Sequence, residues 1–273
     1  MLATPWLHSD KPLLMGVLNC TPDSFSDGGK YLDTNKAITH GQDMARQGAS
    51  IIDVGGESTR PSSHGVSVQQ ELDRVIPVIQ QLSDDGLYVS IDSSKPEVMR
   101  QACIAGARMI NDVNALCADG AIQVAVEANV DVCLMHKQGV PQSMQDQPCY
   151  EHALDDIKTY LQQRMQCCLT AGMQAEKISI DPGIGFGKRL NDNLLLQAHL
   201  AEFKEIAPVL LGISRKSFLA EISGSQLIER EIETAAALSI AVWQGVDMLR
   251  VHDIATQKRA LEVAYQLRVA RAY

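Results

Sequence analysis

The chain has 273 residues, a length that allows one large domain or two small ones. Hydrophobic residues make up 45% and charged residues 21%, which excludes a disordered chain, and no apolar run reaches the ~18–20 residues of a membrane-spanning helix. The formal net charge of −9 speaks against a general nucleic-acid or anionic-membrane binder, although cations gathered in a cleft still allow a small anionic ligand.

The N-terminus, MLATPWLHSDKP, has no basic segment followed by an apolar one, so a cytoplasmic location is expected. The seven cysteines form no CxxC pair and no Cys/His cluster of structural-zinc spacing, which reads as buried thiols in a reducing compartment.

Taken in chain order, strand-length apolar runs alternate with helical patterns. LLMGVLN from Leu13 is followed by a helical pattern from Thr34 to Gln47, which Gly48 stops. ASIIDVGG from Ala49 precedes a helix from Ser67 to Leu82, with Leu72, Val75, Ile76 and Ile79 on one face. LYVSIDSS from Leu87 leads into a short helix opened by Pro96 and closed by Gly106. RMINDVN from Arg108 and VDVCLMH from Val130 come next, then the longest helix, Tyr150 to Thr170. KISIDPG from Lys177 precedes a helix from Asn191 to Leu200. PVLLGIS from Pro208 precedes one from Glu231 to Trp243, and DMLRVHD from Asp247 precedes one from Ala255 to Val269.

The runs are rich in Val, Ile and Leu and nearly continuous rather than alternating, as in parallel strands covered on both faces. Eight such units predict a single-domain (β/α)8 barrel over residues 1–273, a fold of typically ~250 residues. An open doubly wound sheet is the alternative. Polar residues gather at the ends of the runs: Asn19, Asp92, Asn111, His136, Asp181, Ser214, and Arg250 with His252. In a barrel these ends converge on one mouth, where the chemistry sits. Singly, an Asp or Asn in such a place also reads as a helix cap.

The segments MGVLNCTPDSFSDGG from Met15 and GGESTRP from Gly55 resemble the first and second signatures of the dihydropteroate synthase family. IDSSKPEV, INDVN, MHKQG, DPGIGFGK, ISRKSFL and RVHD follow in the family's order and rough spacing, so the resemblance runs from about Leu13 to about Asp253. Ser62 stands after Pro61 where the family often has Gly, and Lys137 stands where it often has Met. The resemblance implies a (β/α)8 barrel that joins 6-hydroxymethyl-7,8-dihydropterin diphosphate to 4-aminobenzoate, giving 7,8-dihydropteroate and diphosphate in folate synthesis. It also implies a cytoplasmic homodimer, with small-molecule substrates and sensitivity to sulfonamides.

Site residues are expected accordingly. A carboxylate accepting two hydrogen bonds from a pterin edge gives planar recognition, and an amide suits a heterocycle with mixed donors and acceptors. By resemblance Asp92, Asn111 and Asp181 hold the pterin, and Lys216 reaches the ring and the 4-aminobenzoate side. Lys216, Asp92 and Arg250 form the expected catalytic set. Arg250 and His252, two apart and so on one side of a strand, join Thr59 and Arg60 around the diphosphate. Phe25, Pro61, Phe186 and Ser214 are expected around 4-aminobenzoate, with Ser214 facing the same way as Lys216. Mg²⁺ is expected on the diphosphate, with Asn19 and Asp27 as its protein ligands. Two rival readings remain: a pterin-binding barrel that transfers a methyl group from methyltetrahydrofolate, and a non-catalytic homologue that only binds a pterin or a protein.

Overall fold

The computed structural model describes residues 4–21, 30–57, 65–139, 148–226 and 230–271. Eight strands form one parallel sheet: β1 (Leu13–Asn19), β2 (Ile51–Gly55), β3 (Val89–Asp92), β4 (Met109–Asp112), β5 (Asp131–Met135), β6 (Ile178–Asp181), β7 (Leu210–Leu211) and β8 (Met248–Val251). The order is β6-β5-β4-β3-β2-β1-β8-β7, so each strand lies beside its neighbour in sequence and β1 also pairs with β8. A bridge between Ile180 and Val209 brings β7 beside β6 and nearly closes the ring. This is the (β/α)8 barrel; a doubly wound sheet would show a reversal of strand order that is absent here.

Between the strands run α1 (Lys30–Gln47), α2 (Val68–Asp84), α3 (Pro96–Ile104), α4 (Ala121–Ala128), α5 (Ala153–Thr170), α6 (Leu190–Ala198), α7 (Leu200–Phe203), α8 (Ser217–Ser223), α9 (Glu231–Gln244) and α10 (Ile254–Ala270). Their ends follow local chemistry. Ser67 and Gln70 form a reciprocal capping box at the start of α2, and Asp253 accepts from the Thr256 N–H at the start of α10. The helix expected from Asn191 to Leu200 breaks at His199 into α6 and the one-turn α7. Among the described residues, no helix is long and apolar enough to cross a membrane.

Strand alternation divides the core in two. Outward residues such as Ile52, Val54, Ile91, Ile110 and Val132 pack against the helices in one large cluster. Inward residues Met15, Ile51, Met109, Cys133, Leu210 and Met248 form a separate layer inside the barrel. Trp6 covers that layer where the strands begin, and its indole N–H donates to the Glu176 carbonyl at 3.2 Å. Beside it the Tyr88 hydroxyl and the Thr4 hydroxyl both donate to Asp131. The apolar runs are continuous because both faces of every strand are buried, one by helices and one by other strands.

One sequence expectation fails here. Strand β7 ends at Leu211, so Ser214 and Lys216 lie beyond it and strand alternation does not govern them. Arg215 between them has a left-handed backbone, with φ of +62°. The two side chains turn to different partners, as described below.

Because Trp6 seals the barrel at the end remote from the polar mouth, its loss acts on stability. Trp6→Ala should lower the unfolding free energy by ~3–5 kcal/mol in a urea titration, as expected for truncating a large buried aromatic, and leave ligand affinity at the mouth nearly unchanged.

Candidate active site

At the opposite end, where the strands stop, the inward positions become polar. Two residues after Ile51, Asp53 points into the barrel and is fully buried. Its Oδ2 accepts from Arg250 Nε at 2.6 Å and from Asn111 Nδ2 at 3.0 Å. The same guanidinium donates from Nη2 to Asp92 Oδ2 at 2.7 Å. Asn111 lies opposite Asp92 in the β3–β4 register. Residues from β2, β3, β4 and β8 are therefore joined in one hydrogen-bonded cluster.

The expected alternative for Asp92, capping α3, does not hold, because the residue before Pro96 is Lys95 and the Asp92 carboxylate faces Arg250. Asp112 does the local work instead: it accepts from the Ser94 hydroxyl and from the N–H groups of Asn114 and Leu116. Burial pushes the Asp92 carboxyl up to about 7; Arg250 opposes that, while Asp53, Asp112 and Glu71 add to it. Burial works against the Arg250 charge, but Asp53 and Asp92 outweigh it and hold the guanidinium firmly protonated.

Asp181 ends β6 and is also buried. Its Oδ1 accepts from the Gly183 N–H at 2.6 Å, and a Cβ built on Gly212 would lie 3.7 Å from its Oδ2 and 3.7 Å from the Arg250 Cβ. The missing side chain at Gly212 thus leaves room between Asp181 and Arg250. Burial raises the Asp181 pKa against the pull of Lys216, Lys188 and Arg250. Lys216 precedes α8; its ammonium donates to the Ile184 carbonyl and lies 4.3 Å from the centre of the Phe186 ring. Burial lowers it to about 8, with Asp181 working the other way. Ser214 instead faces β8, its Oγ 3.0 Å from His252 Nδ1 and accepting from the His252 N–H at 3.3 Å.

The turn after β6 is wound around a second lysine. Lys188, 3% exposed, donates to the carbonyls of Gly183 at 2.8 Å and Phe186 at 3.1 Å and lies 3.0 Å from His136 Nδ1. Burial lowers Lys188 to about 7 and His136 to about 3, so the imidazole is neutral and accepts. Gly183 and Gly187 have positive φ, and a Cβ on either would fall 1.8 Å from the His136 carbonyl oxygen or 2.2 Å from that of Gln138. Both positions therefore require glycine.

Of the sequence-predicted residues, the structure brings Asp92, Asn111, Asp181, Lys216, Arg250, His252, Ser214 and Phe186 to the same end of the barrel, with Asn19 at the end of β1 beside Gly55. Phe25, Asp27, Thr59, Arg60 and Pro61 lie outside the described residues. The sequence reading overlooked Asp53 and Lys188. Asp53 had a signal, a lone carboxylate inside the apolar run ASIIDVGG. The division of the mouth into ring-binding and phosphate-binding residues also changes: Arg250 is tied through two nitrogens to carboxylates on the ring side.

Comparison with known proteins agrees with this geometry. The family model described as pterin binding enzyme matches residues 15–252. The dihydropteroate synthase of Escherichia coli K12 is 44% identical over 259 residues, 94% of this chain and 92% of that protein. The Xanthomonas albilineans dihydropteroate synthase with 4-aminobenzoic acid superposes with a TM-score of 0.89 at 42% identity, covering 97% of this chain and 94% of that one. The same enzyme in complex with 7,8-dihydropteroate gives a TM-score of 0.86 at 41% identity, covering 97% and 95%.

Lys188 gives the site a measurable pH signature. Its ammonium titrates at 10.5 in the absence of structure and at about 7 in the fold. Between those values the unfolded chain holds one more proton than the folded one, so this group makes stability rise with pH by ~1.4 kcal/mol per unit. Lys188→Met deletes that contribution. In urea titrations from about pH 8 to about pH 9, the stability of the wild type relative to the variant should grow by ~1.4 kcal/mol. A pH-independent difference would show that Lys188 keeps its proton throughout.

Proposed function

The chain belongs to the dihydropteroate synthase family of pterin-binding enzymes, and on that premise we propose how its residues divide the reaction. The activity is a transfer: the methylene carbon of 6-hydroxymethyl-7,8-dihydropterin diphosphate passes from the diphosphate oxygen to the amine of 4-aminobenzoate. Dihydropteroate, diphosphate and one proton leave. The observation that carries the assignment of the site is the hydrogen-bonded cluster of Asp92, Asn111, Asp53 and Arg250, with Asp181 and Lys216 at the same end of the barrel and close enough to feel the Arg250 charge.

Asp181, Asp92 and Asn111 hold the pterin edge. Carboxylates accept from ring N–H and exocyclic amine groups, and the Asn111 amide, already donating to Asp53, offers its oxygen. Lys216 sits between the pterin and 4-aminobenzoate, where the Phe186 ring supplies an apolar wall; Ser214, expected on that side, is bonded to His252 and goes with the diphosphate groups. Phe25 and Pro61 complete that pocket. Arg250 and His252, with Thr59 and Arg60, meet the diphosphate. With Nε and Nη2 committed to Asp53 and Asp92, Arg250 turns its remaining nitrogen to the phosphate and keeps its charge under the leaving group.

A magnesium ion fits the oxygen chemistry of the rim. Asn19 offers an amide oxygen at the end of β1, and Asp27 would add a carboxylate. Among the described residues no three His, Cys, Asp or Glu side chains form a cage, which suits an ion that draws most of its ligands from phosphates and water. Bound there, the ion would neutralise charge on the departing diphosphate.

The C–O bond breaks before the C–N bond forms, because the electron-rich dihydropterin stabilises positive charge at the methylene carbon. The arylamine is already neutral, so no strong base is required at the start. The residues contribute position and fixed charge.

A cytoplasmic homodimer completes the reading. The apolar residues of α9 divide between two faces: Leu238 and Val242 are buried against the barrel, while Ile232, Ile240 and Trp243 face outward. Val263 and Leu267 of the adjoining α10 extend that exposed patch, which supports pairing through these two helices.

The decisive experiment incubates the protein with the pterin diphosphate, 4-aminobenzoate and Mg²⁺ and detects dihydropteroate by mass; absence of product refutes the assignment. Asp181→Asn should weaken pterin binding tenfold or more, since a donor then faces ring N–H groups at a cost of about 1–3 kcal/mol, while the ligand-free unfolding midpoint hardly moves. Arg250→Ala should lower turnover efficiency at least about tenfold, from loss of charge-assisted bonds of about 1.5–3 kcal/mol. It should also weaken a pterin lacking the diphosphate, because Asp53 and Asp92 lose their counter-charge. Calorimetry with both ligands measures the two effects separately.

A further inference from the structure

We propose that Thr234, at the start of α9, is a positioning residue for Lys216, acting through the left-handed backbone of Arg215. The proposal rests on the assignment of Lys216 to the substrate side of the mouth. Arg215 has φ of +62°, in a region that a residue with a Cβ adopts only at an energetic cost. Such strain persists only where surrounding contacts hold it.

Three contacts do so, and all come from one turn of chain. The Arg215 N–H donates to Thr234 Oγ1 at 3.2 Å. Its carbonyl accepts from Arg230 Nη1 at 2.8 Å. Its own Nε donates to Glu231 Oε1 at 2.7 Å. Glu231 is itself held by Gln257 of α10, whose Nε2 donates to Oε2 at 2.8 Å. Thr234 is fully buried, so its hydroxyl is fixed by packing as well as by the bond.

The result is a chain reversal within three residues. Ser214 turns toward His252, and Lys216 turns toward the Ile184 carbonyl and the Phe186 ring. An extended Arg215 would send both side chains to one side, as the alternation of a strand does. The left-handed residue lets one short segment serve two sides of the mouth. The groups of α9 and α10 in this network bond to Arg215 and to one another, so the helix acts through the backbone ahead of Lys216.

Thr234→Val keeps the shape of the side chain and removes the acceptor. Arg215 then loses its amide partner and relaxes, and Lys216 swings from its place. Turnover efficiency should fall about tenfold or more, equivalent to ~1.4 kcal/mol or more, at a temperature well below the unfolding midpoint of the variant. Thr234→Ser retains the hydroxyl and should stay within about twofold of wild type. Arg230→Met, which frees the Arg215 carbonyl, should give a loss in the same direction and serves if the valine variant folds poorly.

A second readout does not depend on turnover. The side-chain nitrogen resonance of Lys216, followed by NMR through pH, should titrate near about 8 in the wild type and move toward 10.5 in Thr234→Val as the amine leaves its buried position. Unchanged titration and unchanged efficiency in both Thr234→Val and Arg230→Met overturn the proposal. So do equal losses in the valine and serine variants. A wild type that makes no dihydropteroate refutes the functional assignment instead, and the resonance still decides whether Thr234 places Lys216.

Discussion

The mouth of this barrel is organised around one ion cluster, the guanidinium of Arg250 held between Asp53 and Asp92. Taking such charges out of water costs several kcal/mol per ion, and the cluster holds only because each is met at close range. Asp53 does most of this, since one oxygen receives both Arg250 and Asn111. Its other oxygen has no hydrogen-bond partner among the described residues. A hydrophobic cluster of similar volume would be cheaper to fold. What the charges provide is orientation: side chains from four strands are fixed relative to one another before a ligand arrives, so little reorganisation accompanies binding.

Beneath the cluster the design is conventional. The inward layer of Met15, Ile51, Met109, Cys133, Leu210 and Met248 fills the barrel and gives the charged groups an apolar floor. Burial above that floor raises the Asp92 and Asp181 carboxyls and lowers the Lys216 ammonium, whereas Arg250 is held charged because two carboxylates flank it. The opposed shifts bring Asp92 to about 7 and Lys216 to about 8.

Much of this was legible in the sequence because strand ends carry their chemistry in the open. Asn111, Asp181, Arg250 and His252 each follow or close an apolar run, and the barrel's topology gathers them. Asp53 was harder to see because it lies within its run: a mid-strand carboxylate shows its role only once the register sets it opposite the other inward positions. Lys188 was hidden for a different reason. Apart from the His136 imidazole, its partners are backbone carbonyls, which leave no trace in residue type. Ser214 and Lys216 share a side only if the apolar run PVLLGIS continues as strand; pairing stops at Leu211, and the handedness of Arg215 then decides where each side chain goes.

The glycine turn after β6 also bears on how this protein can evolve. Gly183 and Gly187 press against carbonyl oxygens of the chain that follows β5, so any side chain at either position would force two loops apart. Phe186, between them, is half-buried and has its ring beneath the ammonium of Lys216. On this side of the mouth, inherited variation is therefore channelled into the aromatic position, while the turn that carries it stays fixed. Change on this side of the mouth has a narrow path: it can reshape the ring but not the backbone that presents it.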